Sequence, residues 1–130
     1  NWIKTDNGPL QLARYKIPYT QTENAFLSIS KFSGNAGGTK ANVNRWRKQL
    51  NLFAISLEEI QSTAIKGESS LGKFSIYKII NKQNHSSAFL CMILPLKNST
   101  IFVKLDTPIA GLDILEENFI LFCSSFKTNR

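Results

Sequence analysis

Apolar and polar residues alternate along several stretches of the chain, a pattern typical of strands that bury one face. In the first stretch, Ala13, Tyr15 and Ile17 fall on one side, and Pro18 closes the run. Another stretch, 88–96, is apolar almost throughout, which predicts a central strand covered on both faces. The half-buried strands are predicted at residues 10–17, 25–32, 73–80 and 100–105.

Apolar positions three and four residues apart predict helices in other segments. The first helix, 39–50, carries Val43, Trp46 and Leu50 on one side and basic residues on the opposite side. The second is short and begins at a capping box, Ser-Leu-Glu-Glu, that starts with Ser56. A long C-terminal helix that packs on the sheet, roughly 109–127, is predicted from the stripe of Leu112, Leu115, Phe119, Phe122 and Phe126.

The predicted elements follow one another in the order β-β-α-α-β-β-β-α. Polar residues at 20–24 and 81–87 predict turns, and Gly67 with the serine pair 69–70 predicts another. The sheet is expected to be mostly antiparallel, flanked by a short basic helix and the long C-terminal helix. We therefore expect the α+β class, as a single-domain α/β/α sandwich that spans residues 1–130.

The amino-acid composition says more about the possible binding partners than about an activity. A chain of 130 residues with 42% apolar and 19% charged residues can bury a core, which argues against disorder throughout. Its 16 Lys and Arg against 9 Asp and Glu give a net charge of +7. This basic character suits an acidic protein, a nucleic acid or an anionic membrane surface, and it is also compatible with genome composition alone.

The charges are distributed unevenly along the chain. No acidic residue falls between Glu23 and Glu58, whereas the C-terminal segment is rich in acids. This distribution predicts one basic side and one more acidic side. The basic residues of that interval are Lys31, Lys40, Arg45, Arg47 and Lys48, and the acids of the C-terminal segment are Asp106, Asp113, Glu116 and Glu117.

The sequence also bears on compartment and cysteine chemistry. No run approaches the roughly 18 apolar residues of a membrane span, so no transmembrane segment is expected. The chain starts at Asn1 and not at Met, which is compatible with a removed signal peptide, a removed lipoprotein leader or an artificial cut. Cys91 and Cys123 fall in apolar runs and are predicted to be buried thiols, and a disulfide stays open if the last helix crosses the central strand closely.

A glycine-rich segment lies between the second predicted strand and the first helix, where phosphate-binding loops occur. The Walker pattern is excluded because Lys40 follows Thr39, and the dinucleotide fingerprint is absent as well. A weaker hypothesis is that Gly37 and Gly38 leave backbone amides open to an anion, with Lys40 and Arg47 nearby. The alternative is that these glycines only supply turns of positive φ and a close helix–sheet approach.

No catalytic or metal-binding constellation is evident in the sequence. His85 is the only histidine and lies in a polar turn, so neither a zinc site nor a serine triad is indicated. Glu58 and Glu59 are expected to cap a helix and not to form an acid/base pair. Trp46 lies beside Arg45, as in nucleic-acid sites, but it shares the apolar stripe of its helix. We expect no catalytic residue, no metal and no cofactor.

The segment 34–50 resembles a group of uncharacterised exported bacterial proteins that share a G-x-A-G-G…A-N-V-N-R-W-R-x-Q-L pattern. The C-terminal half fits the same group, with 102–105 leading into a helix that ends at 122–126. This strand-to-helix ending is also similar to PsbP-like α/β/α sandwich domains. One departure is Thr39 or Lys40, where the group has a bulky apolar residue, so the start of the basic helix is expected to be more exposed.

The resemblance implies an extracytoplasmic bacterial protein, periplasmic or associated with a membrane after removal of a leader. It supplies no catalytic residue. PsbP-like domains are mostly non-catalytic accessory or docking subunits near membrane complexes, so the same role is implied for this chain by analogy of fold.

The function expected from residues and resemblance together is docking on an acidic partner protein or a membrane-associated complex. Arg45 and Lys48 would supply the outward charge, and Trp46 would anchor their helix to the sheet. Two alternatives stay open: a small-anion or ligand-binding protein that uses the loop from Gly37 to Lys40, and an enzyme with an unrecognised site. The expected binding residues are Gly37, Gly38, Thr39, Lys40, Asn44, Arg45, Arg47 and Lys48.

Overall fold

The computed structural model describes residues 3–5 and 11–127. These residues form one sheet and three helices. The elements are β1 (Ile3–Thr5), β2 (Gln11–Pro18), β3 (Asn24–Ser33), α1 (Thr39–Gln49), α2 (Leu57–Ser62), β4 (Ile65–Ser69), β5 (Gly72–Ile80), β6 (Ala88–Pro95), β7 (Ser99–Thr107) and α3 (Ile109–Ser124).

Within these residues the sheet has the strand order β1-β2-β3-β7-β6-β5-β4, and every neighbouring pair is antiparallel. The chain first builds the half with β1, β2 and β3. It then crosses through α1 and α2 to the opposite edge and returns by the meander β4–β5–β6–β7. The last strand of the meander pairs with β3 and joins the two halves. The expected α+β class is confirmed.

Helices cover both faces of the sheet. Leu115, Phe119 and Cys123 of α3 are buried against one face, where they meet residues such as Leu90 and Met92 of β6. On the other face, α1 and α2 bury a second cluster, made of Val43, Trp46, Leu50, Ile60, Tyr77, Ile79, Phe89, Cys91, Ile93 and Phe102. The strand β6 is therefore buried on both faces, as its continuous apolar run predicts.

The capping box at Ser56 is present as predicted. The Ser56 hydroxyl accepts the Glu59 backbone N–H at 3.1 Å, and the Glu59 carboxylate accepts the Ser56 N–H at 3.4 Å. The turn predicted from Gly67 and the serine pair 69–70 is present at Ser70 and Leu71, but the placement of Gly67 in it is wrong, because this residue lies inside β4. Gly67 is paired with Phe74, whose ring occupies the space that a Cβ would need, so a strand glycine here satisfies packing and not turn geometry.

The two cysteines are buried free thiols, as expected, and they lie on opposite faces of the sheet. Cys91 packs under α1 and α2, whereas Cys123 packs on the α3 side, so a bridge between them is excluded. Burial raises the pKa of both thiols, that of Cys123 to about 12. In the part of the chain described, no helix is long and apolar enough to cross a membrane.

Candidate functional site

The glycine-rich loop before α1 is a tight turn held by its own hydrogen bonds. Gly37 and Gly38 have φ values of +93° and +89°, which only glycine adopts easily. The Gly37 N–H donates to Asn35 Oδ1 at 3.1 Å, and the Gly38 N–H donates to the Asn35 carbonyl at 3.0 Å. These two amides are engaged inside the loop, which differs from the expectation that they lie open to an anion.

A buried side chain that sequence reasoning missed, Asn42, joins this loop to α1. Its Nδ2 donates to the carbonyls of Ala36 at 2.9 Å and Gly38 at 2.7 Å. Its Oδ1 accepts from Nη2 of Arg45 at 2.9 Å, and this contact orients the guanidinium. The guanidinium also lies 5.3 Å from the ring centroid of Trp46. Asn42 therefore fixes both the loop and the direction of Arg45.

Two of the expected binding residues hold the segment that follows α1. Asn44 exchanges two hydrogen bonds with the backbone of Ile55, at 3.0 and 2.9 Å. Arg47 donates from Nε to the carbonyl of Phe53 at 2.7 Å. These contacts give Asn44 and Arg47 a clear structural role on the side of α1 that faces residues 51–56.

The remaining expected residues are distributed around α1. Lys40 and Lys48 are exposed, and Thr39 is half-buried as the first residue of the helix. Arg45 is exposed on the flank of α1 that faces β3 and β7. Trp46 is buried, with 2% of its surface exposed, and its ring meets Phe102 edge-on at 5.5 Å. The structure thus brings Arg45 towards the sheet and separates it from Arg47.

A groove lies between α1 and the part of the sheet formed by β2, β3 and β7. Along β3, alternation places Leu27 and Ile29 in the α3-side core and Ser28 and Ser30 on the opposite face. In the described residues, α1 and α2 cover this face over β5, β6 and part of β7 only. We call the uncovered part the cationic groove; it is lined by Arg14, Phe26, Ser28, Ser30, Phe32, Ala36, Asn42, Arg45, Trp46, Phe102, Lys104 and Asp106.

The cationic groove consists of three hollows in a row. The hollow at the Arg14 end has a volume of about 120 Å³, the middle one about 190 Å³ and the one beside Ala36 about 240 Å³. The first two share Ser28 and Lys104, and the last two share further side chains from β3, β7 and α1. The groove is therefore elongated and follows the direction of β3.

Three side chains form a row across the strands at one end of the groove. Arg14 is paired with Ser28 between β2 and β3, and Ser28 is paired with Lys104 between β3 and β7. Directly paired residues point to the same face, and neighbouring strands lie about 4.8 Å apart. Two cations therefore flank one hydroxyl, with the backbone of Arg14 and Lys104 separated by about 10 Å.

Lys104 is a partly desolvated cation. Its Nζ donates to Gln49 Oε1 at 2.6 Å and lies 4.0 Å from the ring centroid of Phe89. Burial lowers the pKa of Lys104, and the charge of Arg45 acts in the same direction, while Cys91 and Asp106 oppose it. The ammonium group would be stabilised by an anion bound in the groove.

The acidic residue in the groove, Asp106, accepts a hydrogen bond from the Ser87 hydroxyl at 3.1 Å. Across residues 3–5 and 11–127, the only ion pair is that between Lys78 and Glu116, which belongs to β5 and α3. The cations Arg14, Arg45 and Lys104 therefore have no carboxylate within ion-pairing distance in the described residues. The three cations outnumber the one carboxylate of the groove, so its positive charge is only partly neutralised internally.

The same described residues contain no group of three or more His, Cys, Asp or Glu that could hold a metal ion. His85 is exposed in the turn between β5 and β6, as expected.

No family model and no curated protein sequence matches this chain. The resemblance to exported bacterial proteins and to PsbP-like domains therefore stays a prediction.

Proposed function

We propose that this chain is a non-catalytic accessory protein that docks on an acidic partner protein through the cationic groove and the adjacent surface of α1. One observation carries the proposal: Arg14, Arg45 and Lys104 line one concave surface, and no described carboxylate pairs with them. Lys40 and Lys48 extend the positive surface along α1. The glycine loop, with Gly37 and Gly38, shapes the rim at Ala36.

Physical chemistry favours an anionic partner at such a surface. A net charge of +7 attracts acidic proteins over long distances, and like charges in a concave surface concentrate the field. A partly buried cation such as Lys104 gains more from an anion than an exposed one, because water screens it less. Docking of an acidic surface would relieve this uncompensated charge.

The shape of the groove favours a segment of a protein over a free small molecule. Small-molecule sites are typically enclosed and measure about 300–1,000 Å³. Each hollow here is smaller, and together they form an open row. Single-stranded nucleic acid is disfavoured because successive bases stack on several exposed aromatic rings, whereas Phe26 is 44% exposed but Phe102 only 6% and Trp46 only 2%.

The resemblance to exported proteins supports docking outside the cytoplasm, on a membrane-associated complex. The test is capture from a native extract with the immobilised protein and the double variant Arg45→Glu, Lys48→Glu. The variant Lys66→Glu, Lys73→Glu is the control, because it makes the same charge change at exposed positions of β4 and β5. We expect an acidic protein to bind the parent and the control and to be lost from the groove variant.

The captured partner is then purified and titrated against the parent protein at two salt concentrations. Its affinity should fall steeply as salt is raised, because the contact is electrostatic. Equal capture by the two double variants, or an affinity that does not change with salt, would contradict the proposed function. Circular dichroism of both variants verifies that each is folded before the comparison is made.

A further inference from the structure

We propose that the cationic groove binds an extended segment of the partner that carries one carboxylate and one apolar side chain four residues apart. The carboxylate is held by the row of Arg14, Ser28 and Lys104, and the apolar side chain fills the hollow beside Phe32 and Phe102. This inference rests on the proposed function and specifies the chemistry of its partner.

The row at Ser28 suits a single carboxylate. Arg14 on β2 and Lys104 on β7 flank Ser28, and all three residues line the same hollow. The Arg14 guanidinium and the Ser28 hydroxyl can donate to a carboxylate, while the Lys104 ammonium, which donates to Gln49, contributes its positive charge. Asp106 is two residues from Lys104 on the same face and lines the same hollow. Its negative charge opposes a group with two charges, such as a phosphate, more strongly than a carboxylate with one.

The other end of the groove suits an apolar side chain. This hollow is the largest of the three, about 240 Å³, and the rings of Phe32 and Phe102 form one wall with their centroids 5.5 Å apart. Ala36, from the glycine loop, lines the hollow as well, and its remaining wall is the hydrogen-bonded pair of Asn42 and Arg45. Ala36 adopts a φ of +55°, an unfavourable value for a residue with a Cβ, so the loop is held in this shape by its surroundings.

The spacing between these two ends follows from strand geometry. Ser28 and Phe32 are four residues apart on β3, which corresponds to about 13 Å in an extended chain. A ligand that lies along β3 in an extended conformation presents side chains four residues apart to the same face, at the same distance. Both backbone edges of β3 are already paired with β2 and β7, so the ligand contacts the groove through side chains and adds no strand.

A helical ligand would require a different spacing. Residues four apart on a helix are only about 6 Å apart along its axis, and the separation that keeps two side chains on one helix face and lies nearest to 13 Å is about seven residues, or about 10.5 Å. An extended segment and a helix are therefore distinguished by the separation between the acidic and the apolar residue. This difference supplies one arm of the test.

The test uses fluorescein-labelled nine-residue peptides, in which one Glu and one Leu stand four residues apart in a Ser/Gly background. Both chain directions are made, because the groove geometry admits either order. Control peptides replace Glu by Gln, replace Leu by Ala, replace Glu by phosphoserine, or place the two residues two or seven apart, the last in a longer helix-forming peptide. Fluorescence anisotropy at low salt measures binding to the full chain.

We expect one direction of the Glu/Leu peptide to bind about tenfold more tightly than its Gln and Ala controls. The variant Arg14→Gln should remove the preference for Glu over Gln and leave binding of the Gln peptide unchanged. Lys73→Gln, at an exposed position of β5, is the matched control and should behave like the parent. Thermal unfolding of each variant verifies that the fold is retained.

Equal binding of the Glu and Gln peptides, or an equal effect of Arg14→Gln on both, would overturn the carboxylate assignment. Tighter binding of the phosphoserine peptide would do the same, and tighter binding of the peptide with seven-residue spacing would overturn the extended conformation. Failure of every peptide to bind would overturn this inference, and capture of an acidic partner by the surface of Arg45 and Lys48 would still stand as a separate result.

Discussion

The two halves of one sheet face differ in what covers them. Over β5 and β6, alternate positions such as Tyr77, Ile79 and Phe89 are apolar and buried under α1 and α2. Over β2 and β3, the corresponding positions include Arg14 and Ser28, and the groove lies open. Both halves belong to one continuous antiparallel sheet, so backbone hydrogen bonding does not account for the difference.

The residues over β2 and β3 are the part of this sheet face that is free to carry function. A helix lies over β5 and β6 because apolar side chains gain free energy when they leave water, whereas burying Arg14 without a partner would cost free energy. We call the part of this face over β2 and β3 the open half and the part over β5 and β6 the covered half. Side chains in the open half are therefore not required for the packing of the domain. Their chemistry is available for a ligand.

The largest loss of stability is expected when the packing of α1 on the sheet is disrupted. Trp46→Ala removes a side chain that is 2% exposed and contacts Phe102, so the free energy of unfolding should fall by about 3–5 kcal/mol. Phe26→Ala is the matched aromatic truncation in the open half, where 44% of the side chain is exposed, and it should cost less than about 1 kcal/mol. Urea unfolding measures both, and equal losses would contradict the comparison.

A smaller effect is expected at the segment that follows the covering helix. Asn44→Leu leaves the N–H and the carbonyl of Ile55 without their side-chain partner, which should cost about 1–3 kcal/mol. Lys48→Ala, on the exposed surface of the same helix, should change stability by less than about 0.5 kcal/mol. If Asn44→Leu lowered the free energy of unfolding as little as Lys48→Ala does, the hydrogen bonds of Asn44 to Ile55 would not stabilise the fold.

The covered half could be predicted from the sequence because its signals are local. The apolar run 88–96 and the stripe of Val43, Trp46 and Leu50 identify β6 and the buried face of α1 without knowledge of the topology. Where a local signal has two explanations, the prediction fails. Gly67 is typical of a turn in the sequence, but the close approach of the Phe74 ring accounts for it within a strand.

The open half could be predicted only in part. The alternation along 25–32 indicates that Ser28 and Ser30 share a face, but not which side chains lie next to them. Arg14 and Lys104 join Ser28 only because β7 returns beside β3 after a crossover of two helices and a meander. The hydrogen bonds of Asn42 and Arg47 to loop carbonyls depend in the same way on tertiary structure.

Alkaline pH should lower the free energy of unfolding, because a buried thiol lies in the core on each face of the sheet. Burial raises the pKa of Cys123 from 9.0 to about 12, so the folded protein keeps a proton that the unfolded chain loses above pH 9. The stabilisation is complete below pH 9 and is lost as pH rises towards 12. Between pH 8 and 10 the parent should lose about 1 kcal/mol more than Cys123→Ala in urea unfolding. Identical pH dependence of the two proteins would contradict this assignment.

The smallest effect is expected where the groove is made apolar. Ser30→Val places a β-branched residue on the open half, where strand propensity favours Val and little packing is at stake, so stability should stay equal or rise by up to about 1 kcal/mol. Ile79→Ser is the reverse change in the covered half and should cost about 2–4 kcal/mol, because Ile79 is 3% exposed. Thermal and urea unfolding of both variants measure the contrast. A loss above about 1 kcal/mol in Ser30→Val would show that the polar groove residues hold the fold, and the division between a structural half and a binding half would then be wrong.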